Sequence, residues 1–240
     1  MHQAIESRQN TVRPLPFVGR RRELRELTAA LRTGQPRLIV GPAGIGKRRL
    51  VEEALQAAKQ PFVRVRAAGV LHELLAGLAA ALGCSHPPKA TSRALKGIVL
   101  NALSRAPQCV VLEELHDADP RMYRFLQRLY YIPGVSLIVT ATSRAELGFV
   151  RKLLWDPREE ILVELLSRAE AQLLFDEAAR AFGIESLKID DFGRKVLAAA
   201  KGNPGQILAM CRMAASPEYQ RGSYIKFLPL RMDMLSAFLS

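Results

Sequence analysis

Glycines and a lysine at fixed spacing give the clearest chemical signal in this sequence. The stretch GPAGIGKRRL begins at Gly41 and carries Gly44, Gly46 and Lys47 in the pattern G-x-x-x-x-G-K. In this pattern the glycines let backbone amides wrap around a phosphate, and the lysine reaches the outer phosphates. The stretch therefore predicts a phosphate-binding loop (P-loop) that leads into a helix whose first turn holds an anion.

The residue after the lysine departs from this pattern. A Ser or Thr is usual there, and its hydroxyl holds the magnesium ion that accompanies the phosphates. Here Arg48 and then Arg49 follow Lys47. Cations in the first turn of a helix are disfavoured by about 0.3–1 kcal/mol, so their placement indicates a nearby anion. That anion is either a nucleotide phosphate or one of two later glutamates, Glu113 and Glu114.

Short apolar stretches alternate with helical patterns along the first two thirds of the chain. Such alternation predicts an α/β fold in which a parallel five-stranded sheet is covered by helices on both faces. The later part is helical, and Ser167 with Glu170 predicts a capping box at its start. The expected organisation is a flexible N-terminus (1–13), a nucleotide-binding α/β domain (14–166), a helical lid (167–215) and a C-terminal tail (216–240).

Five stretches, in this order, resemble AAA+ ATPases of the STAND and origin-recognition types. The resemblance covers about residues 15 to 215 and implies a P-loop NTPase sheet with a small helical lid. The stretches are PFVGRRREL (16–24), GPAGIGKRRLVEEAL (41–55), CVVLEELHDADP (109–120), TATSR (140–144) and KGNPGQILAM (201–210).

The resemblance implies that the site binds ATP or ADP. It implies that the backbone of Val18 and Gly19 meets the adenine and that Pro204 approaches the base or the phosphates. Glu114 matches the catalytic base, and Arg144 matches an arginine that reads the γ-phosphate, although pairing with a carboxylate is the simpler alternative. The other residues expected at the nucleotide are Gly41, Pro42, Ala43, Gly44, Ile45, Gly46, Lys47, Arg48, Arg49 and Glu113.

Two positions depart from the family in a correlated way. Arg48 replaces its Ser or Thr, and Glu113 replaces its magnesium-associated Asp. We expect the two residues to face each other and to form a charge-assisted bridge where the family has hydrated magnesium. Nucleotide binding should then be independent of magnesium, and hydrolysis should be slow or absent, because hydrolysis uses the metal to neutralise phosphate charge. The alternative is a decayed site that is kept only for folding.

The composition favours an anionic partner. The net charge of +12 and the pI of about 10.1 predict binding of duplex DNA without strong sequence preference. A basic surface kept for solubility is the alternative. Three widely spaced cysteines and four scattered histidines predict neither a disulfide framework nor a metal site. No signal peptide or membrane-spanning run is evident, which favours a cytoplasmic location.

Several further expectations concern individual segments. Trp155 is predicted to lie in the core. The arginines at 20, 21, 22 and 25 are predicted to form a solvated face, with DNA contact as the alternative. The tail mixes aromatic and basic residues, which suits nucleic-acid contact, and its apolar end should dock on its own domain or on a partner. We expect the tail to mediate self-association or partner binding and to be removable without unfolding the rest.

Together these features predict a nucleotide-binding oligomeric switch or scaffold on DNA with weak or no ATP hydrolysis. Two alternatives remain open at this point. One is a non-catalytic protein–protein adaptor that retains the ATPase shape. The other is an active ATPase that uses Glu113 and Glu114.

Overall fold

The computed structural model describes residues 15–66 and 70–239, with side chains of the last helix described up to Ser236. The described residues form two compact units, an α/β unit of Arg20–Glu164 and a helical unit of residues 15–19 with 165–239. The expected flexible N-terminus, residues 1–13, lies outside the described residues.

The α/β unit alternates strands and helices in the expected order. Its strands are β1 (Arg37–Val40), β2 (Phe62–Arg66), β3 (Cys109–Glu113), β4 (Ser136–Ala141) and β5 (Glu160–Leu162). Its helices are α1 (Arg21–Arg32), α2 (Lys47–Ala58), α3 (Leu71–Ala81), α4 (Ser92–Arg105) and α5 (Pro120–Tyr130), and short 3-10 helices cover Ala145–Lys152 and Pro157–Glu159.

In the described part of the chain, five parallel strands form one sheet in the order β2-β3-β4-β1-β5. The predicted fold class is therefore confirmed. The central strands read as apolar runs because both of their faces are covered, and β4 is buried at all six positions. Val40 pairs with Ala141, and Leu112 pairs with Val139, so β1, β3 and β4 end at the same edge of the sheet. This register brings the loops that follow β1 and β3 together.

Alternate strand residues pack in one cluster against α3, α4 and α5. Val65, Val110 and Leu112 belong to this cluster, whereas Val111 and Ile138 are buried on the opposite face. The α/β unit therefore has a core on each side of its sheet.

The helical unit contains α6 (Arg168–Ala181), α7 (Ile189–Ala200), α8 (Pro204–Ala214), a hairpin of β6 (Gln220–Arg221) and β7 (Tyr224–Ile225), and α9 (Phe227–Leu239). The predicted capping box is confirmed, because Ser167 and Glu170 bond reciprocally at the start of α6.

Helix α9 contributes to the core of the helical unit. Leu230 and Met234 are buried with residues of α6, α7 and α8. The Tyr219 hydroxyl donates a hydrogen bond to Asp233 at 2.9 Å, which raises the pKa of that tyrosine to about 12. The expectation of a tail separable from the folded core is therefore not met, since apolar residues four apart on α9 fill this core.

The prediction for Trp155 is wrong. Its side chain is 72% exposed, whereas its neighbour Leu154 is fully buried. Trp155 lies between the two 3-10 helices, and the backbone there turns Leu154 inward and the tryptophan outward. Hydrophobicity alone does not distinguish the two, because only the local turn decides which side chain faces the core.

We predict that Leu230→Ala lowers the free energy of unfolding by about 2–5 kcal/mol, since it leaves a cavity in a packed core. The matched control is Leu228→Ala on the same helix, whose side chain is 73% exposed and whose loss should cost about 0.5 kcal/mol or less. Denaturant unfolding measures both values. Equal effects of the two substitutions would show that α9 does not pack in this core.

Candidate functional site

The predicted P-loop connects β1 to α2, and its glycines are required by its backbone. Gly44 and Gly46 have φ of 72° and 96°, in the left-handed region that favours glycine. Gly41 is constrained by packing instead, since a Cβ there would lie 2.7 Å from the Val163 carbonyl oxygen and 3.1 Å from an Ile45 methyl. The glycine pattern therefore reflects both the turn of the loop and its close approach to the segment after β5.

The start of α2 is suited to an anion. Its N-cap is Gly46, which supplies no side-chain hydrogen bond, and its first turn contains no acidic residue. The helix dipole therefore places partial positive charge beside Lys47, Arg48 and Arg49. Burial lowers the pKa of Lys47, and the carboxylates of Glu114 and Glu146 partly oppose this effect.

Lys47 is held by the loop itself. Its amino group donates to the carbonyl oxygens of Gly41 at 2.5 Å and of Pro42 at 3.1 Å. These two residues of the predicted site therefore contact the lysine.

Arg20 supports the loop from the N-terminal side. It is only 8% exposed, and its guanidinium donates to the Ile45 carbonyl at 2.6 Å. The predicted solvated face is therefore wrong for Arg20, while Arg21, Arg22 and Arg25 are exposed. The exception arises because Arg20 precedes α1 with a left-handed φ of 57°, which takes its side chain off the helix face.

Four charged side chains form a cluster beside the loop: Arg48, Glu52, Arg64 and Glu113. Glu113 lies 3.4 Å from the Arg64 Nε and 3.8 Å from the Arg48 Nε. Arg64 also donates to Glu52 at 2.7 Å, and Arg48 donates to the same oxygen at 3.3 Å. The expected approach of Arg48 to Glu113 is present, but Arg64 is the closer partner. Two cations and two carboxylates balance in this charge cluster.

The charge cluster is partly desolvated. The side chains of Arg64 and Glu113 are only 18% and 14% exposed. Burial raises the pKa of Glu52, but hydrogen bonds from Arg64 and Arg48 outweigh it, so the pKa is lowered. Within the described residues, the buried Glu113 Oε1 and Arg64 Nε make no hydrogen bond. These two atoms are therefore held together by charge alone.

Glu114 has a different environment from Glu113. Its backbone has a left-handed φ of 55°, and its amide donates to the Thr140 hydroxyl at 3.0 Å. Its side chain is 61% exposed and pairs with Arg66 at 2.8 Å. Such surface pairs are weak, contributing about 0–1 kcal/mol, so this carboxylate can exchange partners.

Arg144 lies apart from the loop residues. Its guanidinium pairs with Glu160 at 3.3 Å and donates to the Leu154 carbonyl. It does not line the cavity described below, so phosphate sensing by Arg144 stays a prediction.

Three predicted nucleotide contacts belong to the helical unit. Val18 packs against the core of that unit, and Pro204 begins α8. Gly19 has a left-handed φ of 73°, which favours glycine, and a Cβ there would also meet the Glu170 carboxylate. Their roles at a nucleotide stay predictions.

A cavity of about 720 Å³ lies between the P-loop and the ends of β3 and β4, within the range of small-molecule sites. It brings the loop and both predicted glutamates together, and it adds residues that sequence reasoning missed. Its lining comprises residues 43–49, Glu52, Arg66, Glu113, Glu114, Leu115, His116, Thr140, Thr142 and Glu146. The sequence did contain a signal for the arginines of β2, because the alternation in FVRVR places Arg64 and Arg66 on one face of the strand.

The residues beside the loop do not fit a magnesium ion. Magnesium takes oxygen ligands in a strict octahedral geometry, and Arg48 offers none. The carboxylates of Glu52 and Glu113 already face guanidinium groups. In the part of the chain that the structure describes, no three His, Cys, Asp or Glu side chains are grouped so that they could hold a metal ion.

We predict that Arg64→Met lowers the free energy of unfolding by about 2–4 kcal/mol, because it leaves two carboxylates half-buried without their main counter-charge. Arg66→Met on the same strand is the control and should cost about 1 kcal/mol or less, since its pair is exposed. Adding Glu113→Gln to Arg64→Met should recover part of the loss. Denaturant unfolding measures these free energies, and equal stabilities of Arg64→Met and Arg66→Met would contradict the prediction.

Several solved structures have a similar fold. One is Orc1 of Aeropyrum pernix in complex with DNA (TM-score 0.67, 20% identity, covering 92% of this chain and 66% of that one). Another is Cdc6p of Pyrobaculum aerophilum (0.62, 15%, 83% and 63%). A third is a Pyrococcus horikoshii STAND protein with a tetratricopeptide repeat sensor (0.51, 17%, 94% and 33%). The chain thus spans less than two thirds of each of these chains.

No curated protein sequence matches the chain. The described residues contain no helix that is long and apolar enough to cross a membrane.

Family membership follows from a match to a family model. The family model described as "AAA ATPase domain" matches residues 16–139, which include the P-loop and the acidic end of β3. Because that match spans more than half of the 240 residues, the chain belongs to the AAA ATPase domain family.

Proposed function

We propose that this protein binds ATP or ADP at the P-loop without needing magnesium, hydrolyses ATP slowly or not at all, and acts as an oligomeric switch or scaffold on DNA. One observation carries the nucleotide part of the proposal. Arg48 stands where the P-loop pattern has a metal-binding hydroxyl, and it belongs to a balanced charge cluster with Glu52, Arg64 and Glu113.

Phosphate binding is supported by the start of α2. The uncapped amides, the helix dipole and Lys47 favour an anion there. Arg48 is 70% exposed in its side chain and is loosely paired, so it can turn toward a bound phosphate. On this proposal Arg48 contributes one positive charge where the family uses a divalent ion.

Slow hydrolysis follows from the same geometry. Phosphoryl transfer relies on metal ions that neutralise charge on the transferred group. Arg48 supplies less charge than a divalent ion and no bound water. Nucleotide would therefore be held but poorly activated.

The two alternatives make different demands on the acidic residues. An active ATPase using Glu113 and Glu114 requires Glu113 to leave two guanidiniums and Glu114 to leave Arg66. A non-catalytic adaptor requires neither residue to act. Measurement of phosphate release separates the active enzyme from the other two.

The DNA part of the proposal rests on the net charge of +12. It is consistent with the Aeropyrum pernix structure, which was determined in complex with DNA. Self-association or partner binding through residues 216–240 also remains a proposal. It is supported by Leu228, Met232 and Leu235, which lie on one exposed side of α9.

We predict that ATP and ADP affinities are the same in magnesium and in EDTA, and that Lys47→Ala abolishes binding because it removes the main phosphate-binding cation. Arg48→Thr combined with Glu113→Asp should restore magnesium dependence, because together they return the hydroxyl of the P-loop pattern and the family's shorter carboxylate, while either change alone returns only one of the two. Calorimetry measures affinity for the wild type, both single variants and the double variant. Tighter wild-type binding in magnesium, or additive effects across the cycle, would contradict this prediction.

We predict that the wild-type protein binds duplex DNA of unrelated sequences with similar affinity, and that this affinity falls steeply with salt because bound counterions are released. Fluorescence anisotropy at several salt concentrations tests this. Absence of binding at low salt, or affinity indifferent to salt, would favour the adaptor alternative.

A further inference from the structure

Helix α5 carries an exposed basic face. Its opposite face packs in the core through Met122, Phe125, Leu126 and Leu129. Arg121, Arg124 and Arg128 are all exposed, and their spacing of three and four residues places them on one side of the helix. Tyr131, the first residue after the helix, is 71% exposed and continues the same line. Arg121, Arg124 and Arg128 together are called the α5 stripe.

No carboxylate of helix α5 itself balances the α5 stripe. In the described part of the chain, none of its arginines has an ion-pair partner, whereas Arg49, Arg64 and others do. Helix α5 contains no acidic residue. The carboxylate of its N-cap, Asp119, accepts a hydrogen bond from the Met122 amide at 2.7 Å. By contrast, α1 contains two glutamates among its arginines.

Folding of the helix alone does not account for the stripe. Like charges three and four residues apart repel each other, and Arg121 lies in the first turn, where the helix dipole disfavours a cation. In the last turn the same dipole favours Arg128, so the destabilising contributions are the repulsion between neighbouring arginines and the position of Arg121. An anionic partner would reverse both effects.

We infer that the α5 stripe is a docking surface for the phosphate backbone of duplex DNA, an inference that rests on the proposed DNA role. The stripe extends about 10 Å along the helix, from the rise of 1.5 Å per residue. One DNA strand carries a phosphate about every 3.4 Å along the duplex axis, so about three phosphates lie within this length when the axes of α5 and of the duplex are aligned. Planar guanidinium groups bind phosphate oxygens in pairs, and the hydroxyl of an exposed tyrosine is a common phosphate donor.

The chemistry of this face favours nucleic acid over a protein or membrane partner. Arginine and tyrosine are also common in protein interfaces, but the buried centre of such an interface is apolar, whereas the exposed face of α5 carries arginines along its length. Membrane-binding helices bury an apolar face in the lipid, whereas the apolar face of α5 is already buried in the core. Protein–DNA interfaces are polar and strongly positive, as this surface is.

The test compares two variants that remove equal charge. Arg121→Gln/Arg124→Gln/Arg128→Gln removes the α5 stripe, and Arg21→Gln/Arg22→Gln/Arg25→Gln removes three exposed arginines of α1. Both lower the net charge from +12 to +9. We expect the α5 variant to bind duplex DNA at least about tenfold more weakly than the wild type. Its salt slope, which is the slope of log affinity against log salt concentration, should be shallower by about 2.7, at about 0.9 for each phosphate contact. The α1 variant should bind nearly as the wild type does.

Each outcome decides one question. If the wild type does not bind duplex DNA, the proposed DNA role fails and the inference fails with it. If the wild type binds and the α5 variant binds equally well, the inference alone is overturned. Equal losses in the two variants would also overturn it, since binding would then follow net charge. If the triple α5 variant does not fold, Arg124→Gln alone should reduce the salt slope by about 0.9, and an unchanged slope would overturn the inference.

Discussion

The candidate site depends on the neutralisation of Glu113, a carboxylate whose side chain is only 14% exposed. A charge that has lost most of its hydration destabilises the fold unless cations lie close to it. Arg64 on the adjacent strand and Arg48 at the start of α2 supply those cations. The loop, the sheet edge and α2 are thereby joined by one electrostatic requirement. The same requirement keeps the Glu113 carboxylate beside two guanidinium groups.

Local features of this site were predictable, and features that depend on register were not. The glycines, Lys47 and the acidic end of β3 were readable because each belongs to a short continuous pattern. Arg64 was missed, although it is the nearest partner of Glu113. The two residues are about fifty positions apart, and they meet only because β2 pairs with β3 from Phe62 and Cys109 onward. Without the strand order, the sequence offered Arg48 as the sole candidate.

The fold class followed from the alternation of strands and helices. The positions of Arg20 and Trp155 were predicted wrongly because individual turns determine them. A left-handed residue before α1 moves Arg20 off its helix face and under the P-loop. A turn between two 3-10 helices exposes Trp155 beside a fully buried leucine. The role of α9 was missed because it has apolar residues on opposite sides, and only tertiary packing shows which side is covered.

Any ligand must compete with the P-loop backbone for the amino group of Lys47. The two carbonyl oxygens that accept its hydrogen bonds belong to Gly41 and Pro42 of the same loop, so they act as an internal ligand at high effective concentration. A phosphate can recruit the lysine only from conformations in which these bonds are open. The observed dissociation constant is then the intrinsic one divided by the fraction of open molecules. Occupancy of this site therefore reports the equilibrium of the empty loop as much as the attraction between lysine and phosphate.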